Sequence, residues 1–235
     1  MELTQEQIER FQRSLKVEGF GPADQQRLLQ SRVVVVGAGG LGSAALSYLV
    51  AAGVGHVTLV EFDRVSLSNL QRQILYTTAD LGEPKAEVAA MRLSRLHPGC
   101  EIRVEDRRLT AENGREILAG HDVVVDCTDN YETRYLIDDL CGELALPMVY
   151  GTAEQMGGQV SVFHTKYSGS YRALYSQPMS SKEAVGVFSP MVGIIGSLQA
   201  LETLKWLTTG RSQLEGELLL VDGGTLQFSR FEIGG

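Results

Sequence analysis

The chain has 235 residues, 43% hydrophobic and 21% charged, with 26 glycines, an ordinary composition for a soluble α/β protein with one sizeable core. A formal net charge of -8 excludes a general nucleic-acid surface, which needs a basic footprint, yet permits a local phosphate pocket. No apolar run reaches the roughly 18 residues of a membrane span, and the polar start MELTQEQIER does not read as a signal peptide. Cys100, Cys127 and Cys141 form no CxxC pair, so the expectation is a cytoplasmic protein with no membrane or nucleic-acid partner.

In chain order, Thr4 and Gln7 form a capping-box pattern, and Ile8, Phe11 and Leu15 lie on one helical stripe with Arg10 and Arg13 outside it. A second short helix is predicted from Pro22. The β-branched run Val33 to Val36 predicts a strand buried on both faces. Gly37-Ala38-Gly39-Gly40-Leu41-Gly42 follows, then an Ala/Leu-rich helix to about Ala52. Strands at Val57–Glu61, Ile102–Val104 and Val123–Cys127 alternate with helices at about Pro84–Leu96 and Ala111–Ala119. That alternation predicts a parallel, doubly wound sheet.

Past Pro147 the pattern changes. Val149-Tyr150 and Gln159–Phe163 read as strands, and residues 165–186, rich in Ser, Gly and Tyr, as a long mobile loop. Ser189-Pro190 opens an apolar helix to about Thr208, and Glu217–Val221 with Leu226–Ile233 predict a closing antiparallel pair hinged on Gly223-Gly224. The fold class is therefore α/β: a Rossmann-like, doubly wound, mainly parallel sheet with an added antiparallel C-terminal portion. Residues 1–31 are read as N-terminal helices forming a dimer arm, 32–150 as the nucleotide-binding half, and 151–235 as the C-terminal half with its loop at about 165–188.

Gly37, Gly39, Gly40 and Gly42 lie between a strand and a helix, where glycines let the backbone approach phosphates and the helix N-terminus offers unpaired N–H groups. Glu61 lies 19 residues after Gly42, at the end of the next strand, in place to bond a ribose. These two features are shared with NAD- and FAD-binding proteins and specify only an adenine nucleotide. Ser68-Asn69-Leu70-Gln71-Arg72-Gln73 is polar where a dehydrogenase usually enters its next apolar helix. Arg72 reads either as a bidentate phosphate clamp or as a solvated arginine. Lys85, in the first turn of a helix, opposes the helix dipole; a phosphate would offset that, and so would Glu83. Asp129, with Asn130 beside it, follows a buried strand. It reads as a carboxylate for Mg²⁺ or as the N-cap of a helix beginning near Tyr131, and the two are compatible.

Taken together, GAGGLG, EFDRVSLSNLQRQ, EPK and DCTDN resemble the ThiF/MoeB/HesA family, bacterial relatives of the ubiquitin-activating enzymes. The resemblance covers nearly the whole chain, including Arg10-Phe11-Gln12-Arg13 and Val192 to Ala200. It implies that ATP and the terminal Gly-Gly carboxylate of a ubiquitin-like sulfur-carrier protein give an acyl-adenylate and pyrophosphate. It assigns the adenosine to Gly40 and Glu61, the phosphates to Ser68, Asn69, Leu70, Gln71, Arg72 and Lys85, and Mg²⁺ to Asp129. Arg13 would reach across a homodimer into the neighbour's triphosphate. The chain departs from the family in three ways. No cysteine stands at the ends of Ser170-Tyr171-Arg172-Ala173 or near the C-terminus, so no zinc is expected. Gln177 to Ser189 contains no cysteine for a covalent intermediate, and Glu61 replaces the usual Asp. Thiamin thiazole and molybdopterin synthesis stay open as pathways, with a lean toward a ThiF-like member. The alternatives are an NAD(P)-linked oxidoreductase, which leaves Arg72, Lys85 and Asp129 without a role, and a non-catalytic docking relative.

Overall fold

A computed structural model describes residues 2–176 and 185–233. Thr4 caps α1 (Gln5–Phe11) by the reciprocal bonds of a capping box: its hydroxyl accepts from the Gln7 N–H at 3.2 Å and its own N–H donates to Gln7 Oε1 at 2.9 Å. Pro22 sits at the first position of α2 (Pro22–Gln30), where its missing N–H has no bond to lose.

One eight-stranded sheet organises the molecule, in the order β3-β2-β1-β4-β5-β6-β7-β8. β1 (Arg32–Val36), β2 (His56–Val60), β3 (Glu101–Glu105), β4 (Val123–Asp126) and β5 (Met148–Glu154) run parallel. β6 (Gly157–Phe163), β7 (Glu217–Asp222) and β8 (Gln227–Glu232) continue it antiparallel. The valines of β1 serve two cores because successive strand side chains point to opposite faces. Val33 and Val35 join α3 (Gly40–Ala51), α4 (Lys85–Leu96) and α8 (Ser189–Thr209); Val34 and Val36 join α5 (Ala111–Leu118) and α6 (Tyr131–Leu144). α8 lies close on α3 because Gly196 lacks a Cβ, which would stand 2.3 Å from the Leu41 carbonyl oxygen.

The predicted strands up to β4 agree with the structure to within two residues. β5 and β6 are longer than predicted, seven residues each, and close in a tight hairpin in which Gln155 takes the left-handed conformation at φ 54°. Glycines 151, 157 and 158 interrupt the apolar pattern there, so the strand ends were hidden in the sequence. The expected mobile loop is also corrected in its first part. Residues 171–174 form the short helix α7 (Tyr171–Leu174), with Tyr171 buried and its N–H, like that of Arg172, donating to the buried carboxylate of Asp138 at 2.7 and 3.0 Å. The rest of the expected loop falls largely on residues 177–184, outside the described residues. In α8, Met191 and Ile195 are fully in the core, Ile194 and Leu198 pack partly against it, and Leu201 is 50% exposed. Among the described residues no helix is long and apolar enough to cross a membrane.

Candidate active site

Because β2 and β4 flank β1, the chain leaves β1 and β4 on opposite sides, opening a crevice beyond their carboxyl ends at the topological switch point. The glycine turn follows β1 and the turn Cys127–Asn130 follows β4. The two turns touch: Gly37 has φ +98°, and a Cβ on it would sit 2.7 Å from the Cys127 carbonyl oxygen. A Cβ on Gly40 would meet Val192 of α8 at 2.8 Å.

Glu61 is buried, and its carboxylate is held by three backbone donors: Ala38 N–H at 2.9 Å on one oxygen, Phe62 and Asp63 N–H at 2.8 Å each on the other. The longer glutamate arm thus reaches back to brace the glycine turn. Tyr76 supports the same turn by donating to the Ala38 carbonyl at 2.8 Å.

The segment Ser68 to Arg72 begins in a one-turn 3-10 helix (Leu67–Asn69) and stays tightly folded, with the Arg72 and Gln73 N–H groups both donating to the Asn69 carbonyl at 3.0 Å. Leu70 packs against the core, and Gln71 Oε1 accepts from the Ser189 hydroxyl at the start of α8 at 2.6 Å. Gln73 is buried, its amide nitrogen 3.4 Å from where a Cβ on Gly39 would be, and its Oε1 has no partner among the described residues. Arg72 is partly buried and donates to the Ser68 carbonyl at 3.2 Å. No carboxylate lies within ion-pair distance of it among the described residues.

Lys85 is the first residue of α4, with Pro84 as cap, and its side chain is only 5% exposed. The anion beside it is Asp63, not the Glu83 considered from sequence: Nζ donates to Asp63 Oδ2 at 3.1 Å, and the Lys85 N–H to the Asp63 carbonyl at 2.9 Å. Asp129 is likewise corrected as a cap. Asn130 caps α6, accepting from the Thr133 N–H at 2.9 Å, while Asp129 is exposed with no hydrogen-bond or ion-pair partner among the described residues.

Beneath that turn, Asp126 accepts from the Thr128 N–H and hydroxyl at 2.9 and 2.5 Å and from Arg134 Nε at 2.9 Å. Burial disfavours the charged guanidinium, but Asp126 more than offsets it and raises the Arg134 pKa above its ordinary value. Gln199 of α8 donates to the Asp126 and Val149 carbonyls at 2.6 and 3.3 Å, in the space that Gly151 leaves without a Cβ. Burial also pushes the Cys127 thiol well above its usual range, which favours the thiol over the reactive thiolate.

Contacts therefore tie Gly37 to Gly42, Glu61, Gln73 next to Arg72, Lys85 through Asp63, and the Asp129 turn into one neighbourhood. Arg13 is not joined to it. Two residues before it, Phe11 packs on Gly53 and His97, at the C-terminal ends of α3 and α4, whereas the glycine turn and Lys85 are at their N-terminal ends. α3 has 12 residues, which puts roughly 18 Å between its ends.

The model of the ThiF family matches residues 11–235. The chain belongs to the ThiF family. This ThiF-family chain is 45% identical, over 99% of its length and 90% of the relative's, to a sulfur carrier protein adenylyltransferase of Thermus thermophilus. It is 40% identical to a molybdopterin-synthase adenylyltransferase of Haemophilus influenzae, over 99% and 98%. It is 42% identical to an adenylyltransferase and sulfurtransferase MOCS3 of Drosophila willistoni, of which it spans 52%. Its fold matches that of E. coli MccB crystallised with ATP at a TM-score of 0.85 and 18% identity, covering 96% of this chain and 72% of that one.

Sequence reasoning about this ThiF-family chain missed Asp63, Arg134 and Gln199. Arg134 stands eight residues after Asp126, one strand-to-helix turn away. That spacing is a signal only when the β4–α6 register is known.

Proposed function

We propose that this chain is an ATP-dependent adenylyltransferase that activates the terminal Gly-Gly carboxylate of a ubiquitin-like sulfur-carrier protein. The observation that carries the reading is the uncompensated charge near the switch point: an exposed Asp129 at the end of β4 and an Arg72 next to Gln73, which backs the glycine turn, neither with an ion-pair partner among the described residues. The names of the relatives support the same activity. A carboxylate oxygen of the carrier attacks the α-phosphorus of ATP. A bond forms from that oxygen to phosphorus, the bond from phosphorus to the α,β-bridging oxygen breaks, and that oxygen leaves with the electron pair as part of pyrophosphate. The attacking carboxylate is already ionised, so no strong base is needed, and the absence of a His or Cys pair is no obstacle.

Two anions must meet in this step. Arg72 and Lys85 lower their repulsion, and preorganised charges of this kind act without reorganising during reaction. Lys85 is parked against Asp63 until phosphate oxygens approach. Gly37, Gly39, Gly40 and Gly42 admit the phosphates to the backbone, with Ser68, Asn69 and Gln71 lining the approach and Glu61 holding turn and ribose side together. Asp129, aided by the cap Asn130, suits Mg²⁺, a hard cation bound through one or two carboxylates plus phosphates. No set of three His, Cys, Asp or Glu residues forms a protein cage among the described residues. Mg²⁺, when bound, would neutralise triphosphate charge.

The carrier tail has a fitting path. Tyr150 of β5 is the register partner of Asp126, and two residues on, Thr152 begins a groove with Glu154, Gln159, Leu220, Ser229 and Phe231. The groove lies on the sheet face opposite α8. Arg13 acts in this scheme from the second copy of a homodimer, and the product serves thiamin thiazole or molybdopterin synthesis. An oxidoreductase has no use for the Arg72, Lys85 and Asp129 set. The test is carrier-dependent ATP–pyrophosphate exchange in Asp129→Ala: the rate should vanish with the fold intact by circular dichroism, and an unchanged rate would remove the assignment.

A further inference from the structure

We infer that Arg134 is a positioning residue, which sets the aim of Asp129 by clamping the peptide group that leads into it. This rests on the reading of Asp129 proposed above. The clamp has two jaws on one residue. The Thr128 N–H is held by Asp126 Oδ1 at 2.9 Å, and the Thr128 carbonyl accepts from Arg134 Nη2 at 2.8 Å. That carbonyl and the Asp129 N–H belong to one planar peptide group. Fixing the oxygen therefore fixes the direction in which the chain enters Asp129.

The same guanidinium also donates from Nε to Asp126 Oδ2 at 2.9 Å, with Arg134 3% and Asp126 0% exposed. One rigid plane thus joins both ends of the turn. A lysine would neutralise Asp126, but its point charge cannot span carboxylate and carbonyl in that fixed geometry. Three tyrosine rings hold the plane: Tyr150 of β5 at 5.0 Å, Tyr171 of α7 at 5.7 Å and Tyr131 of α6 at 5.9 Å from ring centre to the guanidinium carbon. Tyr150 and Tyr175 both donate to Gln159, at 3.0 and 2.8 Å, and Gln159 lines the groove. The packing around Arg134 is thereby continuous from the crevice to the sheet face beside it. Charge neutralisation alone would not require this arrangement.

The experiment compares Arg134→Lys, Asp129→Asn and the double variant in the full chain. The readouts are exchange kinetics with the carrier and calorimetric binding of magnesium α,β-methylene-ATP. Arg134→Lys should stay folded, lose at least about tenfold in kcat, as small misplacements at a reacting centre do, and keep the KM for the carrier within about twofold. Its loss of analogue binding should disappear in the Asp129→Asn background, because the two changes act through one group. Unchanged kcat, or binding losses that multiply in the double variant, would overturn the inference. Should Arg134→Lys fail to fold, Thr128→Val loosens the same turn from the Asp126 side and must show the same coupling to Asp129, or the inference falls. A dead Asp129→Asn beside an unaffected Arg134→Lys removes this inference alone; a fully active Asp129→Asn removes the reading beneath it as well.

Discussion

At the residue scale the decisive feature is a buried cation at the wrong end of a helix. Lys85 opens α4, where the dipole opposes positive charge, and Asp63, whose side chain is 56% exposed, is the anion that holds it. Asp63→Ala should leave the ammonium buried and unpaired, destabilising the fold by about 1–3 kcal/mol. Magnesium-ATP should restore more stability to that variant than to the parent, since phosphate takes the place of the missing carboxylate; thermal shift with and without nucleotide measures it. Equal shifts would detach Lys85 from the phosphates. The cysteines permit a second check at this scale. Burial raises the Cys100 thiol to about 12 and also holds the Cys127 and Cys141 thiols well above their ordinary range. Iodoacetamide at pH 8 should therefore label none of the three in the folded protein and all three in denaturant, read by mass spectrometry.

At the element scale, the glycine turn and α8 show what a glycine is for. A Cβ on Gly42 would lie 2.1 Å from the Gly37 carbonyl oxygen, a backbone atom that cannot step aside, whereas a Cβ on Gly193, inside α8, meets nothing within 4 Å. Gly42→Ala should cost about 2 kcal/mol or more and weaken nucleotide binding. Gly193→Ala should raise stability by about 0.5–1 kcal/mol, because a helix interior favours alanine. Denaturant midpoints of the two variants should move in opposite directions, and a common direction would contradict the packing described. The sequence carried most of this turn: strand, glycines and helix were legible from periodicity and spacing. It did not show that Glu61 braces the turn through the Ala38 N–H, because that bond joins residues 23 apart and exists only once β1 and β2 are paired. Nor could it choose between Asp129 and Asn130 as the cap of α6, since adjacent residues of equal capping ability differ only in backbone direction.

For the whole molecule, Arg13 lies on its own chain at the end of α3 and α4 remote from the crevice. Its proposed role requires a second chain, so sedimentation at micromolar concentration should find a dimer; a monomer would end that role. Acid sensitivity is also a global property. Burial lowers the pKa of His97 and of His121 below the usual 6.5. Each then binds protons more readily when unfolded, so stability is fully present above about pH 6.5 and declines as the pH falls below it. His97→Asn and His121→Asn should each flatten the decline between pH 6.5 and 5 in denaturant titrations, and an unchanged slope would show that other groups govern it.

The sequence by itself determined the alternation of strands and helices, the parallel doubly wound sheet, the closing antiparallel pair and the family. These depend on local periodicity, on turn residues and on motifs written contiguously. Only the tertiary structure decided that Asp63 answers Lys85, that Arg134 and Gln199 support the β4 turn, that β5 and β6 form a long hairpin, and that Arg13 stands far from the crevice of its own chain. Those outcomes depend on which distant segments are brought side by side, and a hydrogen bond or buried charge acquires its partner only when the sheet order has been set.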